Sequence, residues 1–136
     1  MARPIALFAL LVLLAGTVLY TRVLPAAEPR HEAFTQARFE QLQAADALVL
    51  VDVAADWCPT CKRQQGVLAA YQDAHPDVPL HILRVDFDAQ KPWVAHFKAP
   101  RQSTLVLFKG SRQVWFSVAE TRRARIFDAI NAAAAD

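Results

Sequence analysis

Hydrophobic positions divide this chain into a leading apolar segment and a longer region in which apolar residues recur at helix and strand spacings. The segment HEAFTQARFEQLQAAD, residues 31–46, places apolar residues three and four apart and predicts an amphipathic helix. ALVLVDVA, residues 47–54, is apolar and valine-rich except for one Asp, which is typical of a strand buried on both faces in a parallel sheet. PTCKRQQGVLAAYQDAH, residues 59–75, predicts a helix that begins at Pro59, because the fixed φ of proline suits the first helical position.

The second half of the chain continues this alternation of helical and extended patterns. VPLHILRVDFD, residues 78–88, predicts a second strand, and QKPWVAHF, residues 90–97, predicts a short helix. TLVLFKGSRQVWFSVA, residues 104–119, predicts a hairpin that turns near Gly110, and a last helix follows from about Thr121. A parallel strand pair joined by a helical crossover and extended by a hairpin gives one α/β domain, with a central mixed sheet of about four strands flanked by helices.

The first 27 residues differ from the rest because their apolar run has no polar face. Ile5–Leu19 contains no charged residue. This length is near the upper limit of a cleavable signal, whose apolar core is about 7–15 residues long. Counted over residues 5–24, with Arg22 reaching towards the interface, the run approaches the roughly 17–25 residues of a spanning helix. We therefore expect an N-terminal apolar helix that is a signal sequence or a membrane anchor, and the poor cleavage motif LPAAEP favours the anchor.

This leader predicts a location and a division of the chain. Both interpretations place the remainder on the periplasmic side of a bacterial inner membrane, either anchored through residues 5–24 or soluble in the periplasm after cleavage. The predicted organisation is residues 1–27 as leader, 28–32 as linker and 33–136 as one folded domain.

The distribution of charge argues against a nucleic-acid partner. The chain has 15 basic and 13 acidic residues, for a formal net charge of +2. Two of the basic residues, Arg3 and Arg22, belong to the leader, and every acidic residue lies at Glu28 or later. The remainder is therefore neutral, whereas proteins that bind phosphate backbones carry a basic surface.

The chain contains two cysteines, Cys58 and Cys61, separated by two residues. A disulfide between them closes so small a loop that it restrains the unfolded chain very little, which disfavours a purely structural bridge. Cys58 is predicted to cap the helix that begins at Pro59, where free amide N–H groups and the helix dipole favour a thiolate. A thiolate is the species that attacks disulfides. We therefore expect Cys58 to be the exposed nucleophile and Cys61 to face inward and resolve the mixed disulfide.

Asp52 interrupts the apolar strand six residues before Cys58. A buried carboxyl group is costly unless it is paired or protonated, and burial raises its pKa. Asp52 could lie beneath the thiol pair and exchange a proton with Cys61 during the reaction. The alternative is that it only hydrogen-bonds backbone or water at the end of the strand.

The segment LVLVDVAADWCPTCKRQQGVL resembles the active-site segment of the thioredoxin superfamily, and the order of the later elements extends that similarity over nearly everything from Phe34 onward. The resemblance implies a thioredoxin-like three-layer sandwich. It also implies that Cys58 is the nucleophile, that Cys61 resolves, that Asp52 is the buried acid and that Trp57 is the tryptophan beside the pair.

Two departures from that family affect the residues around the thiols. The pair between the cysteines is Pro59-Thr60, neither the Gly-Pro of reducing thioredoxins nor the Pro-His of strong periplasmic oxidants. The family also has a cis-proline that contacts the substrate and shields the thiols from metals. This chain has Ser103 there, directly before Thr104. Because a non-proline cis bond costs about 2.5–4 kcal/mol, we expect a trans bond and a Ser103 hydroxyl that faces the sulfurs.

A third departure concerns the cation near the buried acid. Thioredoxins often carry a Lys at the position that corresponds to Ile82 of this chain. Arg84, two residues further on, is a loose substitute.

These observations predict a thiol–disulfide oxidoreductase that exchanges disulfides with protein partners, more as a reductant than as an oxidant because no His lies between the cysteines. Its partners would be protein clients, a membrane or soluble electron partner and, through residues 5–24, the membrane. No cofactor or resident metal is expected. Two other functions stay open: a metal-binding or metal-delivery module that holds copper, zinc or an iron–sulfur cluster on the two thiols, and a redox-inert binding domain. Two thiolates supply half of a four-coordinate site.

Overall fold

Five strands form one mixed sheet, whose elements the computed structural model describes over residues 30–136. The strands are β1 (Glu32–Ala33), β2 (Leu48–Ala54), β3 (Leu80–Asp86), β4 (Thr104–Lys109) and β5 (Arg112–Val118), and the helices are α1 (Gln36–Ala44), α2 (Pro59–Ala74), α3 (Lys91–His96) and α4 (Arg123–Ala134). The spatial order of the strands is β1-β3-β2-β4-β5. β3 runs parallel to β1 and β2, whereas β4 runs antiparallel to β2 and β5.

The sheet is covered on both faces, which makes the fold a three-layer α/β sandwich. One face of β2 carries Val49, Val51 and Val53 into a core with α1 and α3, and Leu48 and Leu50 of the other face pack against α2 and α4. All seven residues of β2 are buried. The continuous apolar run that predicted a strand covered on both faces is thereby explained, because β2 is the central strand.

The secondary structure at the start of the described region differs from the sequence prediction in two respects. The sheet has five strands rather than about four, because Glu32 and Ala33 pair with Leu83 and Arg84 of β3. The first helix begins at Gln36, not at residue 31, and Thr35 caps it by accepting a hydrogen bond from the Arg38 N–H. A two-residue strand is too short to show an alternating pattern, so its residues were grouped with the helix and the linker.

The predicted leader 1–27, its membrane segment 5–24 and residues 28–29 of the predicted linker lie outside the described residues. Within residues 30–136, no helix has both the length and the apolar character that crossing a bilayer requires.

Candidate functional site

The cysteine pair lies where central strand β2 leads into helix α2. Pro59 is the first residue of α2 and Cys58 is its N-cap, as predicted. The Cys58 Sγ accepts a hydrogen bond from the Cys61 N–H, with 3.1 Å between sulfur and nitrogen. An N-cap acceptor satisfies an amide that the first helical turn leaves without a partner, and negative charge is favoured at this end of a helix. The sulfur of Cys58 is therefore placed where a thiolate is stabilised.

Cys58 and Cys61 are joined by a disulfide, with 5.3 Å between their Cα atoms. Cys61 is completely buried, as expected of the inward-facing partner, but Cys58 is only 2% exposed. The prediction that Cys58 is an exposed residue is therefore wrong for this oxidised state. Both cysteines pack with Ala54 and Ala55, and Phe87 from the loop after β3 packs against the same cluster. The sequence pattern of β2 and α2 contains no information about packing by the loop that follows β3.

Asp52 is completely buried, and neither of its carboxylate oxygens has a hydrogen-bond partner among the described residues. It lies on the face of β2 that α2 covers, two positions before Ala54, which packs against the cysteines. Burial raises the pKa of Asp52 to about 6. The nearby Arg84 guanidinium and Gln65 side chain act in the opposite direction, although the Gln65 amide does not reach Asp52 with full hydrogen-bond geometry. Asp52 is thus a buried carboxyl without a hydrogen-bond partner among the described residues, and its pKa of about 6 lies above the usual range for Asp.

Arg84 is the cation that lowers the pKa of the Asp52 carboxyl. In the parallel pairing of β2 and β3, Arg84 lies directly beside Asp52, so the two side chains leave the same face of the sheet. Arg84 Nη2 also donates to Asp56 Oδ1 at 2.7 Å, two residues before Cys58. Ile82, at the family's lysine position, is buried in the core. The sequence identified Arg84 as a loose substitute, and the strand register shows how it acts on Asp52.

Ser103 directly precedes β4 and is completely buried. Thr104 pairs with Val53 at the last position of the β2–β4 register. The described residues contain no cis peptide bond, which confirms the trans bond expected before Ser103. The hydroxyl of Ser103 donates to the carbonyl of Gln102, and the expectation that it faces the sulfurs stays a prediction. Ser103 has a φ of +60°, in the left-handed region that residues with a Cβ disfavour.

The remaining residues predicted for the site differ in how exposed they are to solvent. Trp57 is 60% exposed, and its Nε1–H donates to Asp88 Oδ2 at 2.8 Å. Pro59 is exposed and Thr60 is half-buried in the first turn of α2. The hydroxyl of Thr104 donates to the carbonyl of Arg101 at 2.7 Å. Trp57 therefore offers an open apolar surface next to Cys58, whereas Thr104 holds the loop before β4.

Two contributors to the site were missed in the sequence. Gln64, three residues after Cys61, is completely buried, and its amide bonds the carbonyls of Ser103 and Glu120. Its position one helical turn from an inward-facing cysteine was an available signal. Asp88, the acceptor of the Trp57 indole, had no comparable signal because it lies 31 residues away.

The two thiols of the cysteine pair supply half of a four-coordinate metal site. Within residues 30–136, no group of three or more His, Cys, Asp or Glu side chains is arranged to hold an ion. Two thiols are the soft ligands that this part of the chain contributes at the pair. The chemistry that the arrangement supports directly is the opening and closing of one disulfide next to a buried acid.

Comparison with known proteins gives a consistent result. The family model for thioredoxin matches residues 30–132. The thioredoxin of Alicyclobacillus acidocaldarius is 35% identical over 80 residues, which are 59% of this chain and 75% of that protein. The thioredoxin of Chlamydia muridarum is 40% identical over 74 residues, which are 54% of this chain and 71% of that thioredoxin. Among solved structures, Trxlp from Edwardsiella tarda is 39% identical with a TM-score of 0.69, covering 74% of this chain and 97% of Trxlp.

Proposed function

This chain belongs to the thioredoxin family and is a thiol–disulfide oxidoreductase, and from that premise we propose that it reduces disulfides of protein clients outside the bacterial inner membrane. The observation that carries the proposal is that Cys58 Sγ lies at the start of α2, 3.1 Å from the Cys61 nitrogen. The buried acid Asp52, which has no hydrogen-bond partner among the described residues, lies on the face of the sheet that α2 covers.

The reaction begins from the dithiol form. The Cys58 thiolate attacks one sulfur of a client disulfide, and the other client sulfur leaves as a thiolate. Cys61 then loses its proton to Asp52 and attacks Cys58 Sγ, which releases the second client sulfur. The client gains two electrons and the Cys58–Cys61 disulfide is restored, so a dithiol electron partner must reduce the pair before the next cycle.

The residues between the cysteines support the proposed direction of electron flow. Pro59 and Thr60 carry no charge, so one amide and the helix dipole stabilise the Cys58 thiolate without a cation inside the loop. A less stabilised thiolate makes the dithiol form a stronger reductant.

Redox titration of the pair in glutathione and dithiothreitol buffers tests this direction. Thioredoxin and the periplasmic oxidant DsbA have potentials of about −270 and −120 mV. A value near the lower end is expected, and one near the upper end would make the protein an oxidant. For the exchange itself, Cys61→Ser should accumulate mixed disulfides with client proteins in cells, and Cys58→Ser should not. Equal trapping by both variants would contradict the assigned roles.

The location rests on the apolar run Ile5–Leu19 and is tested separately. The full chain, expressed in bacteria and reduced in spheroplasts, should react with a membrane-impermeant maleimide, and carbonate washing should leave it in the membrane fraction. Release by carbonate would favour cleavage of the leader, and protection from the maleimide would place the domain inside the cell.

A further inference from the structure

Basic side chains lie in or next to the first turns of α2 and α4, where the helix dipole disfavours positive charge. α2 carries Lys62 and Arg63, and α4 carries Arg123 and Arg125. All four are exposed, and no ion pair among residues 30–136 joins any of them to a carboxylate. Both first turns belong to the described residues, and neither contains an acidic side chain. Uncharged polar side chains would solvate these helix ends without the unfavourable dipole interaction, so folding does not account for the cations.

The cations of α2 belong to the turn that holds the disulfide. The Lys62 N–H donates to the Cys58 carbonyl at 3.3 Å, and Arg63 follows directly. The next residue, Gln64, donates from Nε2 to the carbonyl of Glu120 at 2.9 Å. The start of α2 is therefore in direct contact with the loop that leads into α4.

Arg123 lies on the side of α4 that faces α2. The rings of Phe127 and Tyr71 of α2 pack edge to face, with 5.0 Å between their centroids. The guanidinium of Arg123 lies 4.5 Å from the centroid of the same Phe127 ring. Arg122, which precedes it, is neutralised by Glu120, since its Nη2 donates to Glu120 Oε2 at 2.7 Å. Lys62, Arg63 and Arg123 thus form a basic surface beside the cysteine pair.

The acidic side chains near the pair are bound on its other side. Asp56 Oδ1 accepts from Arg84 Nη2 at 2.7 Å, and Asp88 Oδ2 accepts from the indole of Trp57 at 2.8 Å. A partner that approaches the cysteines therefore meets cations without ion-pair partners on the side of α2 and α4, and bound carboxylates on the side of Trp57.

We propose that Lys62, Arg63 and Arg123 select acidic clients, whose segment next to the exchanged disulfide carries carboxylates that contact the basic surface. This inference rests on the proposed function and specifies its substrate class. Attraction between unlike charges accelerates encounter and orients the partner, and salt screens it. Anionic lipid headgroups have the same charge, but a lipid surface on these residues would cover the turn that holds the sulfurs. A protein segment is therefore the occupant that the position of the basic surface favours.

The test uses two disulfide peptides of equal length, one with Glu and one with Lys on both sides of its cystine loop. The full chain, purified in a neutral detergent, should have a kcat/KM about tenfold higher for the Glu peptide at low ionic strength. About 0.5 M NaCl should bring the two values within roughly twofold of each other. Arg63→Gln and Arg123→Gln should each lower the preference about threefold.

Arg112→Gln is the matched control and should leave the preference unchanged. It removes the same charge at the far end of the sheet, because Arg112 pairs with Lys109, and Lys109 pairs with Leu48 at the start of β2. Hydroxyethyl disulfide has no charge, so its rate reports how a substitution changes the reactivity of Cys58 itself. Such a change would affect both peptides equally and would not alter their ratio.

Equal rates with the two peptides, or an unchanged preference in both Arg63→Gln and Arg123→Gln, would overturn the inference and leave the proposed function intact. A protein that reduces none of the three disulfides would contradict the proposed function instead. NMR titration of the oxidised protein with the Glu peptide would then decide about the basic surface. Shifts at the amides of residues 62–63 and 122–125 would support it, and their absence would overturn it.

Vesicles distinguish the lipid alternative. The reduced full chain, reconstituted in phosphatidylcholine or phosphatidylglycerol vesicles, should react with iodoacetamide at Cys58 at the same rate in both. Slower alkylation in phosphatidylglycerol, restored by Arg63→Gln, would assign the basic surface to anionic lipid and overturn the inference.

Discussion

The carboxyl group of Asp52 lies beside Arg84 on the neighbouring strand, and both side chains leave the face of the sheet that α2 covers. Burial raises the pKa of Asp52 to about 6, and Arg84 limits that rise. The strand register therefore places a cation beside a buried acid whose pKa is about 6. Its consequences for stability and for reaction rate can be measured separately.

Asp52→Asn should make the oxidised protein more stable at neutral pH. Asp52 has a folded pKa of about 6 against an ordinary value of 3.8, so its stabilising contribution is complete below pH 3.8 and is lost as the pH rises through 6. The full difference corresponds to at most roughly 3 kcal/mol. In urea unfolding, the advantage of the variant should be small at pH 4, increase up to about pH 7 and then become constant. An advantage that does not depend on pH would show that Asp52 does not titrate as described.

Arg84→Met should raise the pKa of Asp52 further, because it removes the guanidinium that favours the carboxylate. The pH above which the destabilisation by Asp52 becomes constant should move upwards, as should the pH dependence of the step in which Cys61 attacks. Carbon-13 NMR titration of the Asp52 carboxyl measures the first effect directly. Arg84→Lys, which keeps the charge, is the control and should move the titration less. A downward movement in Arg84→Met would contradict the assigned role.

Two glycine substitutions should have opposite effects on the free energy of unfolding. Gly66 lies inside α2, and a Cβ there would meet no atom within 4 Å, so Gly66→Ala should stabilise by about 0.5–1 kcal/mol. Gly110 has a φ of +55°, and a Cβ there would lie 2.5 Å from Asp46 Oδ1. Gly110→Ala should therefore destabilise by about 1–2 kcal/mol. Thermal and urea unfolding of both variants should show this difference in sign, and a stabilising Gly110→Ala would contradict the turn geometry.

The backbone at Ser103 can be tested with two small replacements. Ser103 has a φ of +60°, which glycine adopts without the steric cost that a Cβ imposes. Both Ser103→Gly and Ser103→Ala lose the hydroxyl bond to Gln102, so their difference isolates the backbone. Ser103→Gly should be more stable than Ser103→Ala by about 1 kcal/mol. Equal stabilities in urea unfolding would show that the loop adopts another conformation in solution.

Local patterns in the sequence predicted most of the secondary structure and the centre of the site. The apolar run around Asp52 became β2, Pro59 began α2, and Cys58 became its N-cap. These predictions depend on chain geometry that repeats every two or 3.6 residues, and on caps that involve neighbours within one turn. Asp52 was also predictable as a buried acid, because a charged residue inside an apolar strand stands out in the sequence alone.

The sequence alone determined a central buried strand, a helix that begins at a C-x-x-C pair, and an acid in that strand. Tertiary structure decided that Phe87 packs against the cluster that contains the cysteines, that Arg84 lies beside Asp52, and that Gln64 joins two loops. It also decided that Glu32 and Ala33 add a fifth strand to the sheet. Each of these features depends on strand register or packing between residues distant in sequence. No periodic pattern along the chain encodes which distant partner a side chain meets, because that partner is selected only when the whole core is assembled.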